Sequence, residues 1–233
     1  MDGKRVLVTG VGPGTGRSIV QRLVSGGYEV AMIARNGDRL QSIAAKLPGA
    51  QPFPADVADT AQFAGVLDRI YESFGPPELV IHNAVGGVFG NFMQIDPAVL
   101  EANFHTNVMA FLQLARRTAP AMIEAGHGAI IASGNTSALR GKSSFAGFAP
   151  TKAAQRILAE SMARELGPKG VHVAYVVIDA VIDLEWTRAM RPNETDDFFI
   201  RPADIAEEIW HVAHQPRSAW SFNVELRPFK EPW

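Results

Sequence analysis

The run Thr9-Gly10-Val11-Gly12-Pro13-Gly14-Thr15-Gly16 places four glycines between an apolar strand-like stretch and a helix-like one. Glycines at such a turn let the backbone pass close to a pyrophosphate, and the helix N-terminus beyond offers free N–H groups to an anion. A glycine-rich turn also exists without any ligand. Its place in the first strand-turn-helix unit favours a dinucleotide. The second apolar strand ends in Ile33-Ala34-Arg35-Asn36. No acid stands there to hold a ribose 2′-hydroxyl, whereas Arg35 offers a guanidinium to a 2′-phosphate. NADP(H) is therefore expected in preference to NAD(H), against the plainer reading of Arg35 as a solvated residue at a helix start. Farther on, Ala55-Asp56-Val57 fits either an Asp56 contact to an adenine amino group or a helix N-cap.

Groups that could move protons are scattered. His82 stands beside Asn83 and His105 just before Asn107. A histidine is the natural general acid near neutrality, but one at a strand end or helix face is more often packed. Ser133, Thr136, Ser137, Ser143 and Ser144 are candidate hydroxyl donors, each weak on its own. Phe89, Phe92, Phe145, Phe148 and Trp186 suit an apolar or aromatic substrate pocket, and suit a core or subunit interface equally. No metal site is expected. The six histidines are dispersed, and His211 with His214 lacks a third ligand and fits a helix C-terminus. Cysteine is absent, which excludes disulfides, thiolate catalysis and Cys-type zinc sites.

These residues need a scaffold, and the pattern supplies one. Apolar strand-like runs at 5–9, 29–34, 79–81, 129–132, 171–177 and 222–226, with a weaker one at 51–54, alternate with helical stretches. The helices are expected at 16–25, 38–46, 60–74, 99–125, 151–166 and 203–214. That alternation predicts a parallel sheet with helices on both faces. In the long helix Phe104, Val108, Phe111, Leu112 and Ala115 mark a buried face. Residues 183–200 show little periodicity and read as a mobile excursion. No repeat or linker divides the chain, so one domain is expected over its 233 residues. With 47% hydrophobic and 20% charged residues, a disordered reading fails. The formal charge of −2 gives no footprint for nucleic acid, and no apolar run reaches spanning length. Met1-Asp2-Gly3-Lys4-Arg5-Val6 leads directly into an apolar strand without a signal-peptide layout, so a soluble cytoplasmic protein is expected.

Taken together, the Thr9–Gly16 turn, Ala55-Asp56-Val57, Asn83-Ala84, Asn107, Lys152 and the run Glu165-Leu166-Gly167-Pro168-Lys169-Gly170-Val171-His172-Val173 resemble the short-chain dehydrogenases/reductases over nearly the whole chain. The resemblance implies a Rossmann-type, doubly wound α/β sheet of about seven strands, a nicotinamide cofactor, and a homodimer or homotetramer built on the two long helices. It also implies a cofactor-binding set of Gly10, Gly12, Gly14, Thr15, Gly16, Arg35, Asn36, Asp56, Val57, Asn83, Ala84, Val85, Lys152 and Val181.

The family's chemistry uses a Tyr one helical turn before the Lys, a Ser about thirteen residues upstream of the Tyr, the Lys itself, and an Asn supporting a water that returns protons to it. Asn107 and Lys152 match; Phe148 stands at the Tyr position and Asn135 at the Ser position. Val85 replaces the glycine favoured after Asn83-Ala84, and Ile178-Asp179 replace the usual Pro-Gly. The resemblance thus keeps the cofactor half and rewrites the proton-donor half. Asn135 can polarise an acceptor oxygen or cap a turn. Without a phenol, a reduced ketone would be an unstabilised alkoxide, so the expected acceptor forms a weaker base: a quinone, a conjugated electron-poor system or a protonated imine. The alternative is a catalytically silent NADP(H)-binding sensor or assembly protein.

Overall fold

The computed structural model describes residues 4–230, so Met1-Asp2-Gly3 of the N-terminal reading lie outside the described residues. The chain alternates as expected. β1 (Arg5–Thr9), α1 (Thr15–Ser25), β2 (Glu29–Ala34), α2 (Gly37–Ala44), β3 (Ala50–Pro54), α3 (Thr60–Ser73) and β4 (Leu79–His82) build the first half. α4 (Pro97–Phe104), α5 (Ala110–Ala125), β5 (Gly128–Asn135), α6 (Ala149–Leu166) and β6 (Val171–Ile178) follow. The remainder is β7 (Val181–Ile182), α7 (Glu185–Met190), β8 (Phe199–Ile200), α8 (Pro202–Ala213) and β9 (Asn223–Leu226).

Seven strands form one parallel sheet in the order β3-β2-β1-β4-β5-β6-β9, a doubly wound Rossmann-type arrangement. A sheet covered on both faces needs strands that are apolar on both sides. All eight residues of β6 are accordingly buried. Side chains alternate across β1: Leu7 joins Phe63, Leu67, Phe111 and Leu114 on one face, while Val6 and Val8 join Ile19, Leu23, Leu40 and Ile209 on the other. Burying each such side chain is worth about 1.5–3 kcal/mol, which makes this the main stabilising term.

The structure departs from the sequence expectation in three places. Of the face expected to be buried in the long helix, Phe111 and Ala115 are buried, but Phe104, Val108 and Leu112 are only half-buried, and Asn103, Asn107 and Leu114 take the core side. The expected continuous helix at 99–125 is divided by a π-helical turn, His105–Met109, that carries Asn107. Residues 183–200 are not featureless: α7 forms there, and β7 and β8 pair in parallel as a small second sheet. Arg188 holds the segment together through Asp183 at 2.5 Å and Asp196 at 2.7 Å. Among the described residues no helix is long and apolar enough to cross a membrane, and no cluster of three or more acidic or histidine side chains could hold a metal ion.

Candidate functional site

The C-terminal ends of β1, β4 and β5 meet where strand order reverses, the usual crevice of an open α/β sheet. Gly10 follows β1 with φ of 71°, and a side chain there would collide with the backbone of Asn83 and Ala84. Gly16 is equally confined, with Val11 Cα 2.8 Å from where its Cβ would lie. Gly12 has open space on that side, and Gly14 faces the Leu184 side chain. The turn closes through Gly12 N–H to Gly10 O (2.9 Å) and Arg17 N–H to Gly12 O (3.1 Å). α1 then begins with no side-chain cap and no acid in its first turn. Among the described residues the Thr15 and Gly16 N–H groups find no acceptor. This uncapped, electropositive helix end fits a pyrophosphate.

At the adenosine end Arg35 is exposed, while Asn36 caps α2 by accepting from Arg39 N–H at 2.8 Å. Arg17, Arg39 and Lys46, none of them singled out by sequence, line a cavity of about 310 Å³ with Pro13 beside the glycine turn. Asp56 accepts from Ala58 N–H at 3.0 Å, and the N-cap of α3 is Asp59, so the capping alternative for Asp56 is set aside. Val57 is buried against the core.

Behind the turn, Thr9 Oγ1 lies 3.0 Å from His82 Nδ1 and accepts from Ala84 N–H, while Asn83 Nδ2 donates to Gly10 O at 2.9 Å. Ser133 Oγ donates to Asn83 Oδ1 at 2.9 Å. Burial, with the charge of Lys152 as a smaller contribution, pushes the His82 imidazole down to about 3. It is a packed neutral histidine, not a proton donor.

Lys152 is only 2% exposed, and burial lowers its ammonium to about 7. Nζ donates to Ser133 O at 3.1 Å and to Gln155 Oε1 at 2.6 Å. Asn107 is fully buried and acts as a clamp. Its Oδ1 accepts from Gly86 N–H (3.0 Å), and its Nδ2 donates to Gly86 O (2.7 Å) and Thr151 Oγ1 (2.8 Å). Its backbone carbonyl accepts from Gln155 Nε2 at 2.6 Å. Neither Gln155 nor Thr151 was found from sequence. The available signal was two polar residues on the helix stripe that also carries Phe148 and Lys152.

Phe148 precedes α6 and is 6% exposed. Its ring packs edge-on against Phe89, with centroids 5.7 Å apart, and over Gly87. Phe89 also meets Phe145 at 4.8 Å, so three of the five aromatics converge, with Phe89 itself still largely exposed; Phe92 and Trp186 are exposed outside this group. Asn135 Oδ1 accepts from Ser137 N–H at 3.0 Å and caps a short 3₁₀ turn, leaving Nδ2 without a partner among the described residues. Ser137, Ser143 and Ser144 line a cavity of about 650 Å³ with Ala149 and Ala153, not the space beside Lys152. Val85 is exposed and Val181 half-buried. Asp179 pairs with Arg227 at 2.6 Å. His211 and His214 belong to the end of α8, where His214 meets the Tyr28 hydroxyl at 3.0 Å, as a terminal-histidine reading expects.

A family model described as short chain dehydrogenase matches residues 4–194. Mouse (Mus musculus) L-xylulose reductase is 31% identical over 172 residues, covering 73% of this chain and 69% of that protein. Pig (Sus scrofa) carbonyl reductase [NADPH] 2 is 35% identical over 176 residues, with 73% and 69% covered. A metagenomic short-chain oxidoreductase solved in complex with NADP superposes with a TM-score of 0.84 at 27% identity, covering 98% of each chain. The chain belongs to the short-chain dehydrogenase family, a family of oxidoreductases.

Proposed function

We propose that this chain transfers hydride between NADP(H) and a small apolar or aromatic acceptor whose reduced form is a weak base: a quinone, a conjugated electron-poor system or a protonated imine. The observation that carries this reading is the position of Phe148. One helical turn before Lys152, a ring without a hydroxyl lies buried beneath Phe89 and Gly87.

Gly10, Gly12, Gly14, Thr15 and Gly16 would hold the pyrophosphate, and Asp56-Val57 the adenine side. Arg35, assisted by Arg17 and Arg39, would hold a 2′-phosphate, while Asn36 positions that corner by capping α2. The names of the pig relative and of the NADP-bound neighbour support the phosphorylated cofactor. Asn83, Ala84, Val85, Lys152 and Val181 would face its reactive half, where the nicotinamide supplies or takes the hydride.

The chain's own work is orientation. Ser137 N–H fixes the Asn135 carboxamide by its oxygen, which leaves the NH₂ end able to donate to an acceptor oxygen. The Asn107 clamp sets Gly86 against the start of α6, and Phe145 and Phe148 pack against Phe89 on that side. Exposed Met109 and Ile157, on the two long helical segments, support a homodimer or homotetramer. The test is NADPH oxidation, followed by absorbance, against a panel of quinones, enones, imines, aldehydes and ketones. Turnover concentrated on the first three classes is expected. Nucleotide binding with no turnover of any acceptor would overturn the reading in favour of a silent binder.

A further inference from the structure

Gln155 lies three residues beyond Lys152, on the same face of α6, and it has no exposed surface. A fully buried carboxamide must place both of its ends. Here Oε1 accepts from Lys152 Nζ at 2.6 Å, with the Tyr175 hydroxyl 3.3 Å away, and Nε2 donates to the Asn107 carbonyl at 2.6 Å. Asn107 sits in the π-turn, whose wider winding makes a carbonyl available to an outside donor. The side chain therefore spans the gap between the ammonium and the break in the α4–α5 helix. Left empty, a gap ending in an ammonium and a carbonyl would suit a water, which could pass protons on. A carboxamide neither gains nor loses a proton near neutrality.

The other surroundings of Lys152 are equally poor in exchangeable protons. Phe148 precedes it by one turn; His82 on β4, which feels its charge, is held neutral, and Tyr175 on β6, whose hydroxyl meets the Lys152 carbonyl, has its phenol pushed upward by burial. No carboxylate pairs with Lys152 among the described residues. We propose that Gln155 is a positioning residue that pins the Lys152 ammonium and fills the water-sized space between it and the Asn107 carbonyl, so that no proton reaches Lys152 through the helix side of the site.

The consequence for chemistry rests on the hydride-transfer reading above. Two electrons and one hydrogen nucleus pass to the acceptor as hydride, and no proton follows from Lys152. A quinone becomes a quinol anion that takes its proton from solvent in the open cleft; a protonated imine becomes a neutral amine and needs none. Both outcomes balance without an internal acid.

The inference is tested on the full chain without cofactor or acceptor, by NMR of ¹⁵N-labelled lysine ammonium groups at pH 6, the Lys152 signal being identified by its loss in Lys152→Met. Slow exchange of the Lys152 ammonium hydrogens with water is expected in the wild type, and at least tenfold faster exchange in Gln155→Ala. Gln155→Met, which refills the space without hydrogen bonds, should keep exchange slow. Wild-type exchange as fast as that of surface lysines would overturn the proposal, and so would Gln155→Met exchanging at the rate expected for Gln155→Ala. If Gln155→Ala does not fold, those two measurements still decide. Because no acceptor is present, failure here leaves the hydride-transfer reading standing, and failure to find an acceptor leaves this result standing.

Discussion

Replacing Lys152 by methionine should remove a pH dependence of stability that the wild type carries. Burial lowers the ammonium from 10.5 to about 7. At about 1.4 kcal/mol per unit, that gap corresponds to a ceiling of about 5 kcal/mol held against folding at pH 7. Methionine keeps most of the volume but surrenders the bonds to Ser133 O and Gln155 Oε1, each worth about 1.5–3 kcal/mol as a charged hydrogen bond. The two terms nearly cancel, leaving a net change between about −1 and +2 kcal/mol at pH 7. The slope is the cleaner signal. Because the folded pKa lies below the unfolded one, the unfolded chain binds more protons between pH about 7 and 10.5. Wild-type stability therefore rises as pH increases through that window, by up to about 1.4 kcal/mol per pH unit. The window has little competition below pH 9.5: the chain has no cysteine, and Tyr28 is pushed up to about 12. Guanidinium unfolding of both proteins from pH 7 to 9.5 measures the slopes. Parallel lines would refute the account, because they would mean that Lys152 binds the same number of protons folded and unfolded.

Arg35→Ala should reduce the preference for NADPH over NADH by about 10- to 100-fold, the worth of a charged hydrogen bond or two, in fluorescence titration; equal wild-type affinities would remove the basis for the claim. Gly14→Asp should abolish nucleotide binding by calorimetry while the circular dichroism spectrum persists, since a carboxylate at the open end of α1 repels a pyrophosphate. Phe148→Tyr combined with Asn135→Ser should raise ketone reduction toward the 10²- to 10⁴-fold that general acid help supplies, and by more than the single changes together. Wild-type protein that reduces simple ketones as fast as quinones would show that another group already delivers the proton.

The sheet was legible because its strands are apolar on both faces, a signal that survives without tertiary information: 5–9 and 29–34 coincide with β1 and β2. What escaped depends on partners far along the chain. β7 and β8 are two residues each and exist only because they pair across the excursion. The π-turn at His105–Met109 keeps an apolar periodicity close to that of an α-helix, so the pattern runs through it unbroken. At the site, the glycine turn was readable from local spacing and Lys152 from the family resemblance. Gln155 was not, because a polar residue on a helix ordinarily faces water, and its burial depends on partners that include the carbonyl of Asn107, 48 residues away, and the Tyr175 hydroxyl. Asn36, assigned to the cofactor from sequence, shows a second task that sequence did not reveal: its side-chain oxygen caps α2.

The outermost strand beside β6 has a consequence for the order in which the crevice is completed. β9 meets β6 from Tyr175 to Ile178, its Leu226 carbonyl accepts from Asp179 N–H at 2.9 Å, and Arg227 reaches the Asp179 carboxylate. The stretch leading to Val181 is thus braced by residues some 45 positions later in the chain. During synthesis, β1 to β6 can assemble and the glycine turn can form while this wall still lacks its support. A nascent chain halted before β9 would leave the edge of β6 unpaired and the stretch after Ile178 unbraced, so this end of the sheet is the last to close.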